Sequence, residues 1–292
     1  MPARDLSGLV VVITGSNTGI GLETARVLLS QRALVVFACR DVEKAQHAVS
    51  ALPAEAKTDI IRLDLANLAS IREFSRTFSA RYDKLDILIN NAGVMATPYL
   101  RTSDGFELQF GVNYLGHFLL TQLLLPKLEA SGEGRVVNVS SMGHRLNLLD
   151  LEDVNCERYS KSRLYKLYYK WVQYGNSKVA QILYTQELNR RLRASDSTVN
   201  VYALHPGAIM TNLFQYVRLI AWICIIFSFL CKSVEQGAAT TVFCAIHPAV
   251  KNYSGGFFKD CRALKPTLPM QAGEKAGRLW DISEGLVEEK KK

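Results

Sequence analysis

Residues 9–13 form an unbroken apolar, β-branched run, the pattern of a parallel strand buried on both faces. A glycine-rich turn follows, and from there the chain settles into alternation. Helical periodicity covers residues 20–30, an apolar strand falls at 34–38, a helix at 42–52 and a third strand at 60–63. The rhythm continues with a helix over 68–82, a strand at 85–89, a long helix over 106–128, a strand at 136–139, a helix over 174–192 and a strand at 199–204. Strands alternating with helices require right-handed crossovers. They predict an α/β fold with a doubly wound parallel sheet and helices on both faces, whose ligands sit at the carboxyl ends of the strands.

Two stretches break the rhythm. Residues 147–173 read as a long irregular insertion rich in tyrosine and lysine, and residues 219–231, from Leu219 to Cys231, carry no charge. That second run is too short for a bilayer, which needs roughly twenty residues, and too apolar to lie bare in water. It reads either as a core helix or as a lid over the site. As a lid, with Trp222, Phe227 and Phe229 flanked by Arg218 and Lys232, it is suited to rest on an anionic membrane surface without spanning it.

A chain of 292 residues, 48% hydrophobic and 21% charged, suits one large folded unit, so residues 1–292 are expected to form a single domain with a polar tail at 286–292. The net charge of +8 does not point to nucleic acid, because the basic residues are scattered. An anionic cofactor or an acidic lipid surface accounts for the excess equally well. The cysteines at 39, 156, 224, 231, 244 and 261 show neither C-x-x-C pairs nor histidines at ligand spacing. They read as reduced thiols, with no metal site. The polar N-terminus runs straight into the first strand, so neither a signal peptide nor an N-terminal anchor is expected. The expected location is cytoplasmic, with peripheral membrane contact through the apolar run.

The candidate chemistry begins where strand one ends, at Thr14-Gly15-Ser16-Asn17-Thr18-Gly19-Ile20-Gly21. A glycine cluster alone is a turn; between a buried strand and a helix it lets a pyrophosphate approach the helix N-terminus. At the end of strand two, where an acidic residue would bind the ribose of NAD, stand Cys39 and Arg40. Arg40 either pairs with a 2′-phosphate or is a solvated arginine neutralised by Asp41. Tyr174 and Lys178 lie four apart and share a helix face, behind a strand that ends in Ser140-Ser141. A cation beside the phenol favours phenolate and suits it to acid/base work.

In their order along the chain these motifs resemble the short-chain dehydrogenase/reductase family, over residues 9–284. Gly15, Ser16, Asn17, Gly19, Ile20 and Gly21 match its cofactor turn, Asp64-Leu65 its adenine-contact pair, and Asn91, Ala92 and Gly93 the motif closing strand four. The resemblance implies a Rossmann-type fold with a cofactor half over about 1–140, a catalytic and substrate half over about 141–285, and a substrate lid. It implies a catalytic tetrad of Asn113, Ser141, Tyr174 and Lys178. Tyr174 transfers the proton, Ser141 polarises the carbonyl, Lys178 lowers the tyrosine pKa and holds the nicotinamide ribose, and Asn113 supports a proton-relay water. Pro206, Gly207 and Thr211, with His205, resemble the segment on the nicotinamide side.

Within the family, Ala38-Cys39-Arg40, Leu115-Gly116-His117-Phe118, Gln236-Gly237-Ala238-Ala239-Thr240 and Gly255-Gly256-Phe257-Phe258 resemble the retinol-dehydrogenase-like branch, and also the catalytic domain of the WW-domain-containing oxidoreductase. The expectation is an NADP(H)-dependent carbonyl reductase or alcohol dehydrogenase acting on lipophilic, retinal-like or lipid-derived carbonyls. An NADP(H)-binding scaffold with little turnover, or the same chemistry on steroids or xenobiotic carbonyls, are the alternatives. A homo-oligomer is left open.

Overall fold

The protein is described from a computed structural model, over residues 4–160, 165–207, 209, 232–264 and 273–289. Eight strands form one sheet: β1 (Val10–Thr14), β2 (Leu34–Cys39), β3 (Thr58–Arg62), β4 (Ile87–Asn90), β5 (Arg135–Val139), β6 (Asn200–His205), β7 (Phe257–Lys259) and β8 (Arg262–Leu264). Their spatial order is β3-β2-β1-β4-β5-β6-β7-β8. Every pairing is parallel except β7 with β8, an antiparallel edge that the alternation alone does not predict. The order reverses between β1 and β4, which opens a crevice at their carboxyl ends.

Helices α1 (Gly19–Ser30), α2 (Val42–Ser50) and α3 (Leu68–Arg81) lie where the pattern places them. Local chemistry fixes two of their starts: Asp41 caps α2 by accepting from the Lys44 N–H, and Asn67 caps α3 by accepting from Ser70. The long helix expected over 106–128 is a short α4 (Leu108–Phe110), a widened π turn (Gly111–Leu115) and α5 (Gly116–Glu129). The insertion expected to be irregular over 147–173 instead contains α6 (Glu157–Ser160) and the start of α7 (Tyr165–Ala194). Its helical phase is hidden because its inward side chains are polar. Tyr169 donates to the buried carboxyl of Glu107, and Gln173 donates to the Val154 carbonyl. Two further helices, α8 (Val234–Ile246) and α9 (Gly273–Glu289), complete the layers.

Each face of the sheet has its own core. On one, Phe74 and Phe78 of α3, Phe118 of α5, Leu183 of α7 and Trp280 of α9 pack together; on the other, Leu28 of α1 and Val242 of α8 cover Val11, Ile13 and Val35. Burying each such side chain contributes about 1.5 to 3 kcal/mol. One polar seam crosses the apolar interior. Asn90 and Asn138, register partners on β4 and β5, are joined by Asn90 Nδ2 donating to Asn138 Oδ1 at 2.8 Å. The seam continues to Thr121 of α5 and Thr185 of α7. Asn138 belongs to an N-x-S triplet, yet it is buried here within that seam.

The apolar run over residues 219–231, with the lid role expected of it, lies outside the described residues, as does Thr211. Among the described residues no helix is long and apolar enough to cross a membrane.

Candidate active site

A cleft of about 520 Å³ opens at the carboxyl ends of β1, β4, β5 and β6. Its floor is the turn between β1 and α1. Thr14 fixes this turn to the next strand: its buried Oγ accepts from the N–H groups of Asn91 and Ala92, both at 2.9 Å. Asn91 Nδ2 returns a bond to the Thr14 carbonyl at 2.8 Å. Gly21 packs against these groups so closely that a Cβ there would lie 2.5 Å from the Gly15 oxygen and 2.6 Å from Asn91 Nδ2. Only glycine fits. The N-cap Thr18 makes no side-chain bond to the start of α1, and the first turn carries no acid. The helix N-terminus therefore keeps N–H groups for an anion, an arrangement that fits a dinucleotide pyrophosphate.

Opposite the turn, Tyr174 and Lys178 project from α7. Tyr174 and Ser141 line the same cleft, and Lys178 Nζ lies 5.7 Å from the tyrosine ring centroid. Ser141 stands at the end of β5, where its Oγ accepts from the Gly143 N–H at 3.1 Å and caps a 3-10 turn (Met142–Leu146). Gly143 belongs to the site in its own right: a Cβ there would come within 2.8 Å of the Tyr174 ring. Ser140, the other hydroxyl of the pair, turns away and donates to the Lys178 carbonyl.

The electrostatics differ from the expectation that Lys178 lowers the tyrosine. Burial pushes the Tyr174 phenol up to about 12, partly opposed by the nearby Ser141 hydroxyl. Burial also pushes Lys178 down to about 7, while its Nζ donates to the Val139 carbonyl and to Gln181 Oε1. His205, at the end of β6, accepts from the Met142 N–H at 3.1 Å, and burial pushes it down to about 4. It is neutral in use.

The cleft unites most of the residues expected from sequence. Gly15, Asn17, Gly19, Ile20 and Gly21 line one side, Asn91, Ala92 and Gly93 the middle, and Ser141, Tyr174, Lys178, Pro206 and Gly207 the other. Ser16 is not on its surface: it is buried and donates to the Ile13 carbonyl. Leu65 is also core, though its neighbour Asp64 is half-buried and accepts from the Ala66 N–H. Asn113 sits behind the wall, its side chain holding Val94 through both N–H and carbonyl and donating to Ser177. Arg40 is exposed beyond the end of β2, and Asp41 beside it is occupied by Lys44 at 3.1 Å.

Sequence reading missed the apolar lining of Met95, Met142 and Ile209, together with Gly143, His117 and Gln181. Gln181 carried a signal: with Tyr174 and Lys178 it falls at i, i+4 and i+7, a polar residue on the buried stripe of α7. A second cleft, between Leu149–Glu152 and the start of α9, contains none of the expected residues.

Comparison with known proteins agrees with this geometry. The family profile described as short chain dehydrogenase matches residues 9–148. Retinol dehydrogenase 11 of Homo sapiens is 42% identical over 285 residues, covering 97% of this chain and 86% of that protein. Retinol dehydrogenase 12 of Mus musculus is 43% identical over 281 residues, covering 95% and 86%. Among solved structures, an uncharacterised protein from Mycobacterium paratuberculosis superposes with a TM-score of 0.77 at 35% identity, over 98% of this chain and 96% of that one.

Proposed function

The chain belongs to the short-chain dehydrogenase/reductase family, in its retinol-dehydrogenase-like branch, and from that premise we propose that it is an NADP(H)-dependent reductase of lipophilic aldehydes and ketones, reversible with the matching alcohols. The observation that carries the reading is the meeting of Ser141, Tyr174 and Lys178 with the glycine turn in one cleft.

Residues Gly19 to Gly21 at the α1 N-terminus would hold the pyrophosphate, and Lys178 the nicotinamide ribose. Arg40 would hold a 2′-phosphate, a reading supported by its exposure and by the engagement of Asp41 with Lys44. The dihydronicotinamide, when bound, supplies the hydride. Ser141 orients the substrate oxygen beside Tyr174, whose hydroxyl gives its proton to that oxygen as negative charge develops. Burial keeps the phenol protonated, so it has a proton to give to the alkoxide as it develops. Met95, Met142 and Ile209 exclude water and favour an apolar substrate.

The uncharged run over residues 219–231 supports peripheral contact with a membrane surface, from which such a substrate would be drawn. The deciding assay is NADPH oxidation against retinal, medium-chain aldehydes, ketones and quinones. Absence of turnover across that panel, with NADP(H) bound, would refute the enzymatic reading.

A further inference from the structure

Met95 is part of the apolar lining of the cleft, and the backbone that carries it takes an unusual path. Ala96, the next residue, has a φ of +53°, in the left-handed region that favours glycine. It is 1% exposed, so its N–H needs a partner inside the protein. That partner is Gln109 of α4. Gln109 Oε1 accepts from the Ala96 N–H at 2.8 Å, and Gln109 Nε2 donates to the Lys170 carbonyl at 3.0 Å. Lys170 lies on α7 one turn before Tyr174. A neutral carboxamide offers an acceptor and a donor from one planar group, so a single fully buried side chain joins the Met95 segment to the helix of the phenol. On the other flank of Met95, Asn113 holds Val94 through both its N–H and its carbonyl. Apolar packing contributes less here than elsewhere. Met95, Ala96 and Tyr174, with Trp171 against them, form a small cluster of their own, apart from the two main cores.

Resting on the oxidoreductase reading above, we propose that Gln109 is a positioning residue that sets the width of the substrate end of the cleft, hanging the Met95 wall from α7 at a fixed distance from Tyr174. A wall held on both flanks does not step back for a broad substrate. The site therefore selects carbonyls by their breadth beside the reacting carbon: a straight-chain aldehyde passes Met95, whereas a fused-ring aldehyde needs the wall to move. Without Gln109 the Ala96 N–H loses its partner, the left-handed turn loses the bond that holds it, and the wall relaxes outward.

The test compares kcat/KM for nonanal and for 2-naphthaldehyde, both with NADPH, in wild type and two variants. The ratio of the two values cancels any general loss of rate, because both aldehydes share the hydride and proton steps. Gln109→Met nearly keeps the volume and removes both hydrogen bonds. It should shift the ratio toward 2-naphthaldehyde by roughly tenfold, the scale on which an apolar pocket resolves small differences of size. Gln109→Glu, assayed at pH 5.5 where a buried carboxyl is protonated, again carries an acceptor and a donor and should restore the wild-type ratio measured at the same pH. An unshifted ratio in Gln109→Met, whether the two activities are kept or fall equally, would overturn the proposal, as would a Gln109→Glu variant that behaves like Gln109→Met. If wild type reduces neither aldehyde, the functional reading fails, and crystal structures of wild type and Gln109→Met decide the positioning role. Ala96 should then keep its positive φ in wild type and lose it in the variant; a positive φ in both would overturn the proposal.

Discussion

Gly143→Ala offers a defined perturbation of the site, because it adds one methyl group directly against the Tyr174 ring. The added Cβ would lie 2.8 and 2.9 Å from two carbons of the Tyr174 ring, whereas ordinary contact begins near 3.4 Å. The ring must therefore retreat by about 0.6 Å, or the 3-10 turn carrying Ser141 must move by as much. Relief is limited, since Tyr174 is 6% exposed and the helix at Gly175 packs so closely on this turn that a Cβ there would lie 2.6 and 2.7 Å from the Leu146 and Gly143 carbonyl oxygens. Overpacking of this kind costs about 1 to 3 kcal/mol of stability. The larger effect falls on rate: a 1 Å misplacement of a reacting group can cost about a hundredfold, so 0.6 Å should cost roughly ten- to fiftyfold in kcat. NADPH affinity should hold, because the glycine turn is untouched. The assay compares kcat, NADPH affinity and thermal midpoint with those of Gly277→Ala in α9, where an added Cβ meets nothing within 4 Å. Wild-type kcat in a folded Gly143→Ala variant would refute the claim that this glycine sets the position of the phenol.

Tyr174→Phe should retain NADP(H) binding while turnover falls at least about a hundredfold, the ordinary worth of a positioned proton donor; stopped-flow hydride transfer checks it. Arg40→Asp should weaken NADP binding by about 1.5 to 3 kcal/mol and turn preference toward NAD, read by fluorescence titration of both reduced cofactors. Burial holds His117 and His205 near 4, against about 6.5 in the unfolded chain, so the unfolded chain binds more protons between those values. Their contribution is complete above about pH 6.5 and is lost as pH falls toward 4, on the order of 3 kcal/mol for each histidine at the limit. Urea midpoints at pH 7.5, 5.5 and 4.5 should fall less steeply in His117→Asn than in wild type, and parallel slopes would contradict this. Finally, wild type should co-sediment with anionic liposomes, and a Trp222→Ser, Phe227→Ser, Phe229→Ser variant should not, with NADP binding as the folding control.

The parallel sheet was legible because its strands are apolar on both faces. Val10–Thr14 and Leu34–Cys39 have no other reading, and the glycine turn between them sits where its spacing demands. The pairing of Tyr174 with Lys178 was equally legible, since residues four apart on a helix share one face. What escaped was structure carried by polar burial. The first turns of α7 look like surface in sequence, because Tyr169 and Gln173 owe their inward positions to Glu107 and the Val154 carbonyl, partners distant along the chain. The β7–β8 edge escaped because β8 is exposed and only three residues long. The direction of the Tyr174 and Lys178 shifts escaped for a related reason: spacing reports proximity, whereas burial, which here dominates both groups, is a property of the assembled layers.

The seam of Asn90 and Asn138 gives the interior an alignment gauge. An apolar β-branched pair of strands can slide by a residue and still find apolar neighbours, but a slide here would separate these amides and leave them in a dry interior, at about 1 to 3 kcal/mol for each group left unpaired. The next residues beyond these rungs are the ones that matter: Asn91 to Gly93 follow Asn90, and Ser140 and Ser141 follow Asn138 after a single valine. The middle of the cleft and the Ser141 hydroxyl are thus both measured from one joint. Variation elsewhere in the sheet can accumulate without putting the two halves of the chemistry out of step, whereas replacing either asparagine with leucine would loosen their relative height even in a protein that still folds.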